Sequence, residues 1–353
     1  MLQNKIVYVI VTGATKAKGV MILLDMLKKD GAKPILMPTP AAIPMIDCWD
    51  SISREVIVCR ESSCDKIPEE DIVIVAPCTF NTFSKISYGI ADNYPMSILH
   101  AAIGKGKHVV VAPAMGSQYW NHPATPRAQD IVSSFGVEIV WPEYVYSASG
   151  ELEKITMAPW EKIFDTVYHR YQKIRYEEKR IKLNIDEIVD TNYPEFSAIG
   201  NKMQEDHYTN TSAGFLAKRI DGGVLVTRSG SLVGNLSCSD LTLITDWKHR
   251  IVSWSGEGMP SSETPLILEI FNAFPDANVI IHGHCRDITY SSKMIRYHSS
   301  EYLHYGQWGD LFKIAPVLKQ YKRGIMKLHG EIILANDFNE ALRDYLKMYE
   351  ETL

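Results

Sequence analysis

The stretch NVIIHGHCRD, residues 278–287, ends an apolar run in two histidines separated by one glycine. On a strand, side chains at i and i+2 project to the same face. His282 and His284 would therefore point together, with Gly283 on the other face leaving room for close packing. Two imidazoles on one face are part of a catalytic zinc site, which usually takes three protein ligands and keeps an open position. The third should come from a neighbouring strand. KRGIMKLHGEIILAN offers His329, again in an apolar run and again followed by glycine. Ordinary sheet histidines would fit the same spacing. Glu263, which follows Ser261 and Ser262 at the start of a helical stretch, fits a helix N-terminus behind a serine cap.

Two kinds of periodicity position these residues. The first half alternates continuous apolar runs (KIVYVIVTG, KPILMPT, EEDIVIVAP, KHVVVAPAM) with helical stretches such as GVMILLDMLKKDGA and ISYGIADNYPMSILHAAIGKG. That pattern predicts a doubly wound parallel sheet. Ligands of such sheets lie beyond the C-terminal strand ends. Here those ends read TGATKA, PTPAA, APCTFNT and APAMG, rich in small and hydroxyl residues that suit a phosphate-bearing cofactor. Turn chemistry accounts equally for the threonines. WEKIFDTVYHRYQKIRYEEKRIKL reads as a long charged helix running into a linker, which places the domain boundary near residue 180: 1–180, then 181–353. The second half has short runs joined by turns (GGVLVTRSGS, NLSCSDLTLITD, HRIVSWSG, NVIIHGH), with helical PLILEIFNAF and NEALRDYLKMYEETL. This predicts an α+β domain on an antiparallel sheet.

Composition is ordinary for a globular chain: 46% apolar and 22% charged residues, net charge −5 and pI near 6.1. No basic field points to nucleic acid. The N-terminal apolar run is only about eight residues long, too short for a membrane span and without a signal-peptide cleavage pattern. The six cysteines (Cys48, Cys59, Cys64, Cys78, Cys238 and Cys285) form no C-x-x-C pair, and reduced thiols in a cytoplasmic protein are expected.

MPSSETPLILEIFNAFPDANVIIHGH (259–284), KLHGEIILANDFNEAL and GGVLVTRSGS together resemble the class II aldolase family. That family includes fuculose-phosphate and rhamnulose-phosphate aldolases and ribulose-phosphate epimerase. The resemblance covers roughly residues 195–353. It implies that His282, His284 and His329 bind zinc or a similar divalent ion and that Glu263 is the acid/base. It implies further that Ser229, Gly230, Ser261 and Ser262 cradle a substrate phosphate. The chemistry suits these residue types, because a divalent cation stabilises the charge of an enediolate and neutral imidazoles preserve its positive charge. The chain departs from the family in four places, one of them a short segment between His284 and His329. Phe215 stands where an asparagine touches phosphate, Arg228 replaces a proline, and only Tyr302 and Tyr305 are candidates for the tyrosine that a neighbouring subunit lends.

APCTFNTFSKISYGIADN (76–93), APAMGSQYWNHPATPRAQDIVSSFGVEIVWPE (112–143) and VTGATKAKG resemble the homo-oligomeric flavin-containing cysteine decarboxylases, among them phosphopantothenoylcysteine decarboxylase, over residues 4–165. This resemblance implies FMN held by Gly13, Thr15, Thr39, Thr79, Asn81 and Thr82. The family's histidine before the Ala-Pro strand would fall near Ser63, and no histidine precedes His100. Gly116 and Tyr119 replace the motif's asparagine and second methionine. The reading is a fused enzyme, with aldolase or epimerase chemistry on a sugar phosphate joined to an FMN-binding domain. The alternative is a flavoprotein enzyme whose second domain regulates or assembles it. Both families imply a homo-oligomer acting on a small molecule.

Overall fold

The computed structural model describes residues 2–47, 57–58, 67–147, 149–205 and 214–353. Cys48, Cys59, Cys64 and the Ser63 position lie outside the described residues. The chain divides into two compact units, Met1–Gln172 and Lys173–Leu353.

The first unit is built on a six-stranded sheet: β1 (Ile6–Val11), β2 (Lys33–Pro38), β3 (Ile57–Val58), β4 (Ile72–Cys78), β5 (His108–Pro113) and β6 (Glu138–Ile139). Their order is β3-β2-β1-β4-β5-β6 and every pairing is parallel. Both faces of each central strand are buried, which is why these strands read as unbroken apolar runs. On one face Tyr8, Ile10, Val73, Val75, Val109 and Val111 pack with Phe83, Leu99 and Val132 from three helices. The stretch from Ile86 to Gly106 is not one helix. Tyr88–Asn93 breaks it, and Asn93 caps the next helix by accepting the Met96 N–H at 3.1 Å. A hairpin of β7 (Glu143–Tyr146) and β8 (Leu152–Thr156) and the helix Trp160–Tyr171 complete the unit.

The second unit holds β9 (Glu177–Arg180), β10 (Phe215–Ile220), β11 (Gly223–Thr227), β12 (Leu241–Asp246), β13 (Ile251–Gly256), β14 (Val279–Gly283), β15 (Arg323–Met326) and β16 (Gly330–Ala335). Their order is β15-β16-β14-β10-β11-β12-β13-β9. All neighbours are antiparallel except β13 and β9, which run parallel. Residues 177–180 therefore do not continue the preceding helix, and the boundary falls at Gln172/Lys173 rather than near 180. Their charges mark an edge strand, where lysine, arginine and glutamate discourage further pairing. Alternation along the strands feeds two cores. Leu216, Ile281 and Ile333 face the helices Asp186–Glu205 and Phe338–Glu350. Phe215, Ile280 and Ile332 face the helix Thr264–Ala273. No helix among the described residues is long and apolar enough to cross a membrane.

Candidate functional site

His282 is the fourth residue of β14, and by alternation it shares the face of Ile280. That face is covered by the helix that begins immediately after Glu263. The His282 ring lies 5.0 Å from that of Phe215, its cross-strand partner on β10. His284 lies just beyond the end of β14. His329 comes not from a strand but from the three-residue turn between β15 and β16, where Leu328 takes φ = 57°. Because β14 and β16 are hydrogen-bonded neighbours, the turn returns His329 to the pair. Ring centroids are 4.7 Å apart for His282–His284, 5.1 Å for His282–His329 and 5.0 Å for His284–His329. One potential ligand atom from each lies within 4.8 Å of the others.

The hydrogen bonding sets a tautomer. His282 Nδ1 lies 2.7 Å from the Glu331 carbonyl, which can only accept, so Nδ1 carries the proton and Nε2 is left as a lone-pair donor. Burial lowers the His282 pKa to about 4, so the ring is neutral at physiological pH. His284 Nε2 lies 2.9 Å from His282 Nε2. Tetrahedral zinc with Zn–N bonds near 2.0–2.1 Å would separate such nitrogens by about 3.3 Å, inside the range these rings span. The donor set fits a divalent ion.

Close packing explains the glycines. A Cβ on Gly283 would meet the Tyr345 hydroxyl and Glu331 Oε1, while one on Gly330 would meet the Gly283 carbonyl and the rings of His282 and His284. Glu331, which the sequence reading passed over, is fully buried. Its carboxylate accepts from the Cys285 N–H at 2.8 Å, from the Thr289 hydroxyl at 3.0 Å and from the Tyr345 hydroxyl. Burial raises its pKa to about 7. The sequence signal was a lone glutamate inside an apolar strand, a residue type seldom buried without partners.

Glu263 is buried at the N-terminal cap position of its helix, and Oε1 lies 3.7 Å from His329 Nε2. Its N–H donates to the Ser261 hydroxyl at 3.2 Å. The two loops expected to cradle phosphate are adjacent. Ser229 N–H donates to the Met259 carbonyl at 2.8 Å, and Arg228 bridges to Pro260. The buried Tyr176 hydroxyl donates to the Pro260 and Ser261 carbonyls at 3.0 and 3.1 Å, which fixes Ser261 from below. Arg228 is already paired, its Nε 2.6 Å from Asp240 Oδ1. Tyr305 is buried under the Arg175 guanidinium, 4.1 Å from its ring centroid.

In the first unit, Gly13 and Thr15 follow β1, Thr39 follows β2, and Thr79, Asn81 and Thr82 follow β4. The strand order reverses between β1 and β4, where doubly wound sheets open a ligand crevice. The Thr12 hydroxyl ties the two loops together, donating to the Pro77 carbonyl at 2.7 Å and accepting the Thr79 N–H at 3.0 Å. Thr79 caps the helix Phe80–Ser87 by accepting from Thr82 N–H at 3.4 Å. Gly13 has a packing role, since a Cβ there would lie 2.9 Å from Ala41 Cβ. Thr15 and Asn81 are exposed at the rim.

These features define a doubly wound parallel-sheet unit followed by an α+β unit with a triple-histidine cluster. Residues 1–172 match the family model described as Flavoprotein, and residues 195–350 match that of the Class II Aldolase and Adducin N-terminal domain. The chain thus joins a flavoprotein-type domain to a class II aldolase-type domain. Among curated relatives, it is 37% identical over 109 residues to a cysteine/cysteine sulfinic acid decarboxylase from an unknown prokaryotic organism (31% of this chain, 30% of that protein). It is 34% identical over 97 residues to a probable phosphopantothenoylcysteine decarboxylase of Arabidopsis thaliana (28% of this chain, 48% of that protein). The chain thus spans less than half the length of either. A solved structure of a PPC decarboxylase mutant complexed with pantothenoylaminoethenethiol is 26% identical, with a TM-score of 0.42, and is covered over 99% of its length by 48% of this chain.

Proposed function

We propose that the second unit is a metal-dependent lyase or epimerase acting on a phosphorylated hydroxy-carbonyl compound. The observation that carries this reading is the cluster itself: three imidazoles with ligand atoms within 4.8 Å of one another and a buried carboxylate 3.7 Å from one of them. His282, His284 and His329 would hold zinc or a similar divalent cation. When bound, that ion supplies Lewis-acid stabilisation of charge developing on neighbouring substrate oxygens. Glu263 takes up and returns the proton. Its low exposure keeps water from competing, and its place at the head of a helix fixes it beside the cluster. The serine hydroxyls and backbone N–H groups of Ser229–Gly230 and Ser261–Ser262 orient the substrate's phosphate.

For the first unit we propose an FMN-binding role. The crevice between the ends of β1 and β4 fits a phosphate-bearing group, because amides in the first turn of the helix Phe80–Ser87 have no intrahelical acceptor. Gly13, Thr15, Thr39, Thr79, Asn81 and Thr82, which follow β1, β2 and β4, would hold the cofactor, which supplies redox chemistry when bound. The proposed assembly is a homo-oligomer. Metal analysis by mass spectrometry with an absorbance scan of the purified protein tests both readings. Stoichiometric divalent metal with a flavin band is the expected result. Flavin without metal would favour a flavoprotein whose second unit regulates or assembles it, and neither would refute both assignments.

A further inference from the structure

The β14–β16 ladder ends at the pair Gly283–Glu331, one residue short of His284. The backbone that carries His284 is therefore not held by the sheet. The next main-chain donor, Cys285 N–H, goes instead to the Glu331 side chain at 2.8 Å. The same carboxylate takes the Thr289 hydroxyl at 3.0 Å, which anchors the short helix Arg286–Thr289, and the Tyr345 hydroxyl from the helix Phe338–Glu350. Its own carbonyl takes His282 Nδ1 at 2.7 Å. By alternation the Glu331 side chain lies on the sheet face opposite His282, among the residues packed against the C-terminal helix. It is fully buried and cannot reach the metal face itself.

We infer that Glu331 is a positioning residue for the metal site: its main chain orients His282 while its side chain extends the sheet's hold by one residue to place His284. Through Tyr345 the placement of His284 is tied to the C-terminal helix. The inference rests on the metal reading of the three histidines. Three donors converge on one carboxylate from two segments, the stretch Cys285–Thr289 and the C-terminal helix, so removing it frees both at once and leaves buried donors unsatisfied. Loss of such outer contacts typically weakens metal affinity about 10- to 100-fold.

The test uses the full-length protein with cobalt(II) as the probe, because its visible absorption bands report ligand geometry. Affinity is measured by chelator competition and folding by circular dichroism. Glu331→Leu should bind cobalt about 10- to 100-fold more weakly, with altered bands, in molecules that remain folded. Glu331→Gln should stay within several-fold of wild type. Its amide oxygen can take the Cys285 and Tyr345 donors, and its NH2 can donate to the Thr289 hydroxyl. A role confined to stability would lower the melting temperature and leave the bands and affinity of folded protein unchanged. That result would overturn the inference, as would a Gln variant as weak as the Leu variant. If the Leu variant does not fold, Tyr345→Phe and Thr289→Val each remove one hydrogen bond, and wild-type affinity in both would overturn it. Wild-type protein that binds no cobalt would refute the metal reading instead.

Discussion

A Cβ on Gly330 would sit 2.2 Å from the Gly283 carbonyl oxygen and 3.0 Å from carbons of both His282 and His284. Gly330→Ala therefore perturbs the cluster without removing any ligand. Ordinary van der Waals contact begins at 3.4 Å, so the new methyl group is about 1.2 Å too close to a main-chain atom that cannot rotate away. The strands β14 and β16 must separate, and they carry His282 and the turn holding His329. Metal sites tolerate ligand displacements of only about 0.2 Å. Overpacking of this kind costs about 1–3 kcal/mol of stability. The larger effect should be on metal retention, with affinity falling about 10-fold or more, as for perturbations of outer contacts. Chelator competition gives the affinity, and urea denaturation of the metal-free protein gives the stability. A folded Gly330→Ala protein that binds metal as tightly as wild type would show that the three rings do not form a shared site.

Asn81→Asp should weaken FMN retention, since a carboxylate cannot donate the hydrogen bonds an amide can; fluorescence titration measures it, and unchanged retention would remove Asn81 from the site. The protein should not release carbon dioxide from phosphopantothenoylcysteine at a useful rate, because Gly116 leaves no amide where the resembling family has one; a product assay with FMN-loaded protein checks this. Burial holds both His282 and His298 near a pKa of about 4 against an ordinary 6.5, so the unfolded chain binds protons that the folded protein refuses, and stability falls as pH drops below 6.5. Each histidine should cost about 2 kcal/mol between pH 7 and pH 5, partly offset by Glu331, whose raised pKa acts in the opposite direction. His298→Asn should flatten the acid limb of the urea midpoint in metal-free protein, and an unchanged slope would contradict the assignment.

The parallel sheet was legible because burial on both faces writes continuous apolar runs; of the His282–His284 pair only His282 lies on β14, and His284 falls just past its end. The turn that carries His329 was not legible, since KLHG continues the apolar run of β15 and only Leu328's left-handed backbone ends it. Residues 177–180 misled for a related reason: EEKR suits a solvated helix and an edge strand equally, and only pairing with β13 decides between them. Glu331 shows locally only as a lone glutamate in an apolar run; its partners are not legible, because Tyr345, Thr289 and Cys285 lie 14 to 46 residues away. Arg228, which replaces the family's proline, pairs with Asp240 twelve residues away, a contact that no local pattern shows.

The central claim separates two roles, metal binding by the histidines and proton transfer by Glu263. It is tested most directly by measuring metal content and cleavage of candidate ketose phosphates in His329→Ala and Glu263→Gln side by side. His329→Ala should lose metal and turnover together, because two imidazoles hold zinc far less well than three. Glu263→Gln should keep stoichiometric metal and lose turnover by about 100-fold or more, because an amide cannot carry the proton. Stoichiometric metal in His329→Ala, or full turnover in Glu263→Gln, would contradict the account.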